Sequence, residues 1–106
     1  KISWKIVSRH KSGRAVLTYD ELGEKTIREH TLIINTTPMG MSPHPETCPP
    51  IPYEFISDNH LLYDLVYNPA KTLFLQKGEE HGARIKNGEE MLILQAEESW
   101  RIWNVF

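Results

Sequence analysis

The sequence predicts an α/β fold, in which a mostly parallel sheet is flanked by helices. Two runs, which end at Asn35 and Tyr67, are apolar almost throughout, as in strands that are covered on both faces. Segments with helical spacing alternate with these runs, which is the pattern of β–α–β units. With 106 residues, 40% hydrophobic and 25% charged, the chain can form one small domain with a real core.

The first half of the chain contains two predicted strands. Residues 2–8 alternate apolar and polar side chains, which favours a strand, and a basic loop follows them. Residues 18–23 indicate a short helical turn ended by a glycine, whereas the polar residues 24–29 indicate a connector. The run from His30 to Asn35 predicts a buried strand. Five of the seven prolines then fall between residues 43 and 52, which predicts an ordered surface loop.

The second half predicts a third strand and two helices. The strand 61–67 is stopped by Asn68-Pro69, because proline lacks the N–H that a strand ladder needs. Thr72 is the expected N-cap of a helix to residue 81, with a glycine just beyond its end. Residues 83–86 predict a short extended segment before the last helix.

The last helix is expected from Gly88 to about Asn104, with Asn87 and Glu90 forming a capping box at its start. Gln95 faces partly toward the apolar side, where a buried amide can donate to and accept from a ligand hydroxyl. A core glutamine with protein partners is the alternative. The predicted apolar stripe of this helix comprises Leu92, Ile93, Ala96, Trp100 and Trp103.

The composition excludes several classes of function. A formal charge of −2 gives no support to a nucleic-acid or anionic-membrane partner, and no apolar run approaches the length of a membrane span. Cys48 is the sole cysteine, which favours a reducing, cytoplasmic compartment, and the histidines lack metal-ligand spacing. The chain opens directly on an apolar strand pattern without a methionine, so we expect a fragment.

Three stretches are candidates for binding. Tyr67 stands at the carboxyl end of a predicted strand, where ligands sit in open α/β sheets. The loop after the first strand contains Arg9, Lys11 and Arg14 but no acid, which suits a 2′-phosphate; a solvated basic turn is the alternative. Residues 35–41 place two hydroxyls and a glycine at another strand end, where the alternative is an ordinary turn.

Five motifs follow one another along the chain: Ser8-Arg9, Tyr19-Asp20-Glu21-Leu22, residues 33–41, residues 63–75 and Asn87-Gly88-x-x-Met91-Leu92-x-x-Gln95-Ala96. In this order and spacing they resemble shikimate dehydrogenase. The resemblance implies reduction of 3-dehydroshikimate to shikimate with NADPH in aromatic amino-acid biosynthesis. It also implies that residues 1–86 are the later part of a Rossmann-type NADP domain. Residues 87–106 are then a helix that packs back toward a missing N-terminal substrate domain.

The resemblance assigns roles to individual residues. The family's catalytic lysine and aspartate have no counterpart here, so no catalytic residue is expected in this chain. Tyr67 and Gln95 match residues that hydrogen-bond shikimate. Ser8 replaces the asparagine of an Asn-Arg pair at the 2′-phosphate, and Glu90 stands where some members have glycine. The expected cofactor-binding residues are Ser8, Arg9, Lys11, Thr36, Thr37, Met39, Leu65, Gly88 and Met91.

Two alternatives remain open. The chain by itself can be a non-catalytic α/β fragment, competent only for weak binding or for self-association through exposed sheet edges and apolar surface. The parent protein can also resemble the related quinate/shikimate dehydrogenases, which use NAD. The basic loop without an acid argues for NADP.

Overall fold

The computed structural model describes residues 5–9 and 17–103, with side chains up to residue 99. Ile2, the rest of residues 1–4, and the loop cations Lys11 and Arg14 lie outside the described part. The elements are β1 (Val7–Ser8), β2 (Leu17–Thr18), a 3₁₀ turn (Tyr19–Glu21), α1 (Glu24–Glu29), β3 (Leu32–Asn35), a 3₁₀ turn (Tyr53–Phe55), β4 (Leu61–Asp64), α2 (Leu73–Glu80), β5 (Arg84–Lys86) and α3 (Glu89–Trp103).

The described strands form two parallel sheets. β1 pairs with β2, and β4 lies between β3 and β5 in a three-stranded sheet. The register places Asn35 opposite Asp64 and Leu62 opposite Ile85. Parallel neighbours need long crossover connections, and here α2 and the proline-rich loop supply them. The predicted α/β class with a parallel sheet and flanking helices is therefore confirmed.

The core lies between α2 and one face of the three-stranded sheet. Leu62 of β4 is fully buried, and Phe74 and Leu75 of α2 are 1% exposed. The rings of Tyr53 and Phe74 meet edge to face, with their centroids 6.3 Å apart. Burying each large apolar side chain contributes about 1.5–3 kcal/mol. α2 itself begins at the predicted N-cap, since the Thr72 hydroxyl accepts from the Leu75 amide, and Gly82 follows it with φ +90°.

The opposite face of the sheet is only partly covered, which corrects the expectation of strands buried on both faces. Burial alternates along β3 and β4, so that Leu62 and Asp64 lie under α2, and Ile33, the strand partner of Leu62, packs against the same core. Leu32 and Ile34, on the other face, are 53% and 49% exposed. An almost continuous apolar run shows that both faces of a strand can be buried. Whether both are buried depends on which other elements pack against the sheet.

Residues 24–29 form helix α1, although the sequence predicted a connector. The segment has one buried apolar side chain, Ile27, so it carries no helical periodicity to detect. A side-chain ion pair between Glu24 and Arg28, 2.5 Å across one helical turn, supports it. The buried His60 ring donates through Nε2 to the Ile27 carbonyl at 2.8 Å, which fixes the helix against β4.

β4 ends at Asp64, three residues before the predicted end at Tyr67. The Asp64 carboxylate accepts a hydrogen bond from the Val66 amide at 2.9 Å, which turns the chain two residues beyond the aspartate. Tyr67 consequently lies in the loop after the strand and is 47% exposed. The peptide bond Asn68–Pro69 in that loop is cis.

α3 has the predicted start but not the predicted environment. The Asn87 side chain accepts from the Glu89 amide at 3.0 Å, whereas Glu90 pairs with Lys86 instead of closing a capping box. Residues 92–99 are all exposed, so Gln95 is not the partly buried amide that the sequence predicted. A stripe at helical spacing shows which side chains share a face, but not whether other elements cover it. None of the described helices is long and apolar enough to cross a membrane.

Candidate functional site

The candidate site is built at the carboxyl ends of β3 and β4, around a buried carboxylate. Asp64 is fully buried, and its two oxygens accept hydrogen bonds from three donors. The donors are Asn35 Nδ2 at 3.1 Å, the Val66 amide at 2.9 Å and Thr72 Oγ1 at 2.6 Å. Burying a charged group without hydrogen bonds is costly, and these three hydrogen bonds offset that cost for the Asp64 carboxylate.

The Asn35 amide carries this arrangement into the loop after β3. Its Nδ2 donates to Asp64, so its Oδ1 turns to the loop and accepts from Thr37 N at 3.0 Å and Thr37 Oγ1 at 2.7 Å. Nδ2 also donates to the Met39 carbonyl at 3.3 Å, and Thr37 Oγ1 accepts from the Met39 amide at 3.2 Å. The loop is therefore an ordered structure with defined hydrogen bonds.

Gly40 lets this loop approach the start of α2. It has φ +92°, and a Cβ at this position would lie 3.2 Å from Thr72 Cβ and 3.3 Å from the Thr47 carbonyl oxygen. Its amide donates to Thr47 Oγ1 at 2.8 Å. Only glycine adopts this conformation and spacing without strain. Gly40 therefore lets the backbone of this loop pack closely against the start of α2.

The start of α3 is fixed at the same edge. Gly88 is buried against the turn after β4, so a Cβ there would be 2.2 Å from the Leu65 carbonyl oxygen. Asn87 Nδ2 donates to the Ala70 carbonyl at 2.9 Å. These contacts bring together Leu65 and Gly88, two of the residues that the resemblance assigns to cofactor binding.

At the edge of the three-stranded sheet, the predicted site residues fall into two groups. Thr36, Thr37 and Met39 lie on the ordered loop after β3, with Thr36 exposed and the other two half-buried. Leu65 and Tyr67 are exposed on the turn after β4, and Met91 is half-buried on the first turns of α3. Gln95 is exposed one helical turn beyond Met91.

Ser8 and Arg9 lie at the end of β1, in the other sheet. A cavity of about 510 Å³ extends between the two sheets; its lining includes Lys5–Val7, Tyr19 and Asn35–Thr37. Burial raises the pKa of Tyr19, and the nearby Arg9 guanidinium opposes that rise. The cavity thus reaches from the neighbourhood of the basic residue to the loop after β3. Within the described part of the chain, no group of three or more metal-ligating side chains could hold a metal ion.

Sequence reasoning missed the buried hub of this site. The sequence predicted no role for Asp64, and it predicted Thr72 only as the N-cap of a helix. A polar residue in the middle of an apolar run, opposite an asparagine at the end of another, is the pattern that could have revealed their contact.

The chain is similar to known shikimate dehydrogenases, although no family model matches it. It is 39% identical over 99 residues to the NADP(+) shikimate dehydrogenase of Methanococcus maripaludis, covering 93% of this chain and 35% of that protein. A chorismate mutase/shikimate 5-dehydrogenase fusion protein from Clostridium acetobutylicum has a TM-score of 0.76 at 35% identity, covering 96% of this chain and 37% of that one. The shikimate 5-dehydrogenase of Listeria monocytogenes, in complex with shikimate and NAD, has a TM-score of 0.76 at 27% identity, covering 88% and 33%. The chain thus spans about a third of these proteins' lengths.

Proposed function

We propose that this chain, whose homologues are NADP(+)-dependent shikimate dehydrogenases, is the part of such an enzyme that holds the cofactor beside the substrate. In the reaction, NADPH transfers a hydride to the ketone carbon of 3-dehydroshikimate and a proton is added to the ketone oxygen, which gives shikimate and NADP+. Similarity over 93% of the chain is the observation that carries this proposal. The cofactor supplies the hydride chemistry, and the protein supplies binding and orientation.

The geometry supports separate contacts along the sheet edge for the adenosine and nicotinamide ends of the cofactor. Thr36, Thr37 and Met39 lie on a loop whose shape is held by hydrogen bonds, as a surface for the adenosine side of a dinucleotide requires. Leu65 and Gly88 meet at the turn after β4, which suits a contact with the nicotinamide, and Met91 follows in the first turn of α3. In parallel sheets ligands bind at this carboxyl edge.

Cofactor choice is proposed to rest on the end of β1. Arg9 is exposed and can offer its planar guanidinium to a 2′-phosphate, with Ser8 and Lys11 as further donors. This proposal favours NADP over NAD. It also disfavours the quinate/shikimate dehydrogenase alternative that uses NAD.

Substrate contact is proposed for Tyr67 and Gln95, which are both exposed and free to turn toward a ligand bound beside α3. Their hydroxyl and amide groups match the hydroxyls of shikimate.

The proton-transferring residues are proposed to lie in the remaining two-thirds of the enzyme's length. The exposed apolar residues of α3 support the proposal that this helix packs on that part; they are Leu92, Ile93 and Leu94. A cytoplasmic location is proposed from the lone Cys48.

The test is the kinetics of the full-length enzyme that contains this chain. Replacing Gln95 by alanine removes a hydrogen bond to the substrate, so we expect KM for shikimate to rise about tenfold while KM for NADP+ changes less than about twofold. Gln76→Ala, at an exposed position of α2, is the matched control. Unchanged shikimate kinetics in Gln95→Ala would contradict the substrate role.

A second measurement addresses the chain alone. Mixed with NADP+ and shikimate, it is expected to produce no NADPH, because the proposed proton-transferring residues are not among its own. Turnover by the isolated chain would overturn this proposal.

A further inference from the structure

The hydrogen bonds around Asp64 indicate how the loop after β3 is held in position. Of the residues that touch this carboxylate, Asn35 alone also bonds to the loop after β3. Asn35 is 3% exposed, so neither end of its amide has water as a substitute partner. Its orientation is therefore decided by its protein neighbours.

The charge of Asp64 decides that orientation. A carboxylate only accepts hydrogen bonds, so the amide nitrogen of Asn35 faces Asp64 and the amide oxygen faces the loop. The loop donors, Thr37 N and Thr37 Oγ1, need that oxygen. In the reversed orientation, Asn35 would present an NH₂ group to both donors and an oxygen to a carboxylate.

We propose that Asn35 and Asp64 are positioning residues. Together they hold the loop of residues 36–39 in the conformation that receives the cofactor. This inference rests on the proposed dehydrogenase function and names the groups that build its cofactor surface. Both side chains are buried, so the proposal gives them a role in shaping the loop and no direct bond to the cofactor. Their effect reaches it through Thr37 and Met39, whose backbone amides complete the network.

Asp64 also holds a second segment, the turn after β4. Its Oδ1 also accepts from the Val66 amide, and thereby shapes the turn that carries Leu65 and Tyr67. Asn35 contacts that turn through its backbone, since its carbonyl accepts from the Leu65 amide at 3.2 Å, a bond that does not involve its side chain. The proposal therefore separates the two side chains: that of Asn35 acts on the cofactor loop, and that of Asp64 acts on the cofactor loop and on the substrate turn.

The test uses Asn35→Asp and Asp64→Asn in the full-length enzyme. Asn35→Asp places two carboxylates at the present 3.1 Å contact and removes the donor to Met39. KM for NADP+ is expected to rise at least about fivefold, with KM for shikimate within about twofold of wild type. Asp64→Asn keeps the volume but adds a donor, so KM for both NADP+ and shikimate is expected to rise, by about threefold or more.

Two controls separate positioning from loss of stability. Asn59→Asp makes the same chemical change on an exposed residue, in the turn before β4, and is expected to leave both KM values unchanged. Leu75→Ala shortens a core side chain and keeps the backbone amide that donates to Thr72, so it is expected to lower the unfolding midpoint while both KM values stay constant.

Each outcome decides the proposal. If Asn35→Asp does not fold, the milder Asp64→Asn carries the decision. Unchanged KM for NADP+ in a folded variant, or an equal rise in Leu75→Ala, overturns the positioning role while leaving the dehydrogenase function intact. A wild-type enzyme that fails to oxidise shikimate with NADP+ overturns the function, and the positioning role with it.

Discussion

At the residue scale, single buried groups at the strand ends hold together segments that are far apart in sequence. Asn35 and Asp64 are 29 residues apart and hydrogen-bond across β3 and β4. Gly88 contributes in the opposite way, by having no side chain where the backbone of Leu65 approaches. Both features lie where the proposal places the cofactor, so substitutions there affect stability and binding together.

Gly88→Ala is expected to destabilise the chain by about 1–3 kcal/mol, since its Cβ would meet the Leu65 carbonyl oxygen at 2.2 Å and backbone must shift. Gly23→Ala is the matched control, because a Cβ there has nothing within 4 Å. The free energy of unfolding in urea, measured for both variants, checks this. Equal losses in the two variants would show that crowding at Gly88 is not the cause.

Tyr53 makes stability sensitive to alkaline pH. Burial raises the pKa of its phenol, with a further rise from its contact with Cys48, and the hydroxyl donates to the Pro49 carbonyl at 2.7 Å. The unfolded tyrosine loses its proton near pH 10, whereas the folded one keeps it. The unfolded state binds fewer protons there, so the free energy of unfolding falls as pH rises above about 10, by up to about 1.4 kcal/mol per pH unit.

The variant Tyr53→Phe removes this titration. Its stability is lower at neutral pH because the Pro49 carbonyl loses its donor, but the decline between about pH 9 and pH 11 is expected to be shallower than in the wild type. Urea unfolding across that pH range measures both slopes. Parallel slopes in the two proteins would count against Tyr53 as the source.

At the element scale, the sequence predicted helices and strands where periodicity and capping residues agree. α2 was predicted because apolar residues follow a threonine cap, and β3 was predicted because its residues are apolar almost throughout. α1 was missed because Ile27 is its one buried apolar residue, and its place depends on a bond from the distant His60. The end of β4 was predicted wrongly because the strand ends in a turn that a side-chain hydrogen bond of Asp64 stabilises. The apolar residues continue through this turn, so their pattern does not show where the strand ends.

The start of α2 offers a test at this scale. Thr72 Oγ1 both caps the helix and donates to Asp64, so Thr72→Val is expected to cost roughly 2–3 kcal/mol of unfolding free energy. Thr72→Ser retains the hydroxyl and is expected to cost about 1 kcal/mol or less, from the lost methyl group alone. Thermal unfolding followed by circular dichroism compares them. A serine variant as unstable as the valine variant would refute the role of the hydroxyl.

At the scale of the whole molecule, apolar surface is left open on one face of the sheet and along α3. Leu32 and Ile34 are about half exposed on β3, and Leu94 is 56% exposed. The sequence indicated these residues as apolar, but exposure depends on packing between elements, which no local pattern contains. Large exposed apolar patches in soluble proteins mark contact surfaces.

We therefore expect the isolated chain to self-associate as its concentration rises. Ile34→Lys places a charge on the open face of the sheet and is expected to lower the average mass measured by light scattering. Ser42→Lys adds the same charge to an exposed loop and is expected to leave the mass unchanged. A wild-type mass that stays monomeric at all concentrations contradicts the expectation.

The central position of β4 has a kinetic consequence. Each of its two strand neighbours is parallel, so each pairing joins residues separated by a long crossover, and no local hairpin can begin the sheet. Folding rates fall as the mean sequence separation of contacts grows. This small chain must therefore close two long loops around one four-residue strand before its sheet yields any stability, and it is expected to fold slowly for its length.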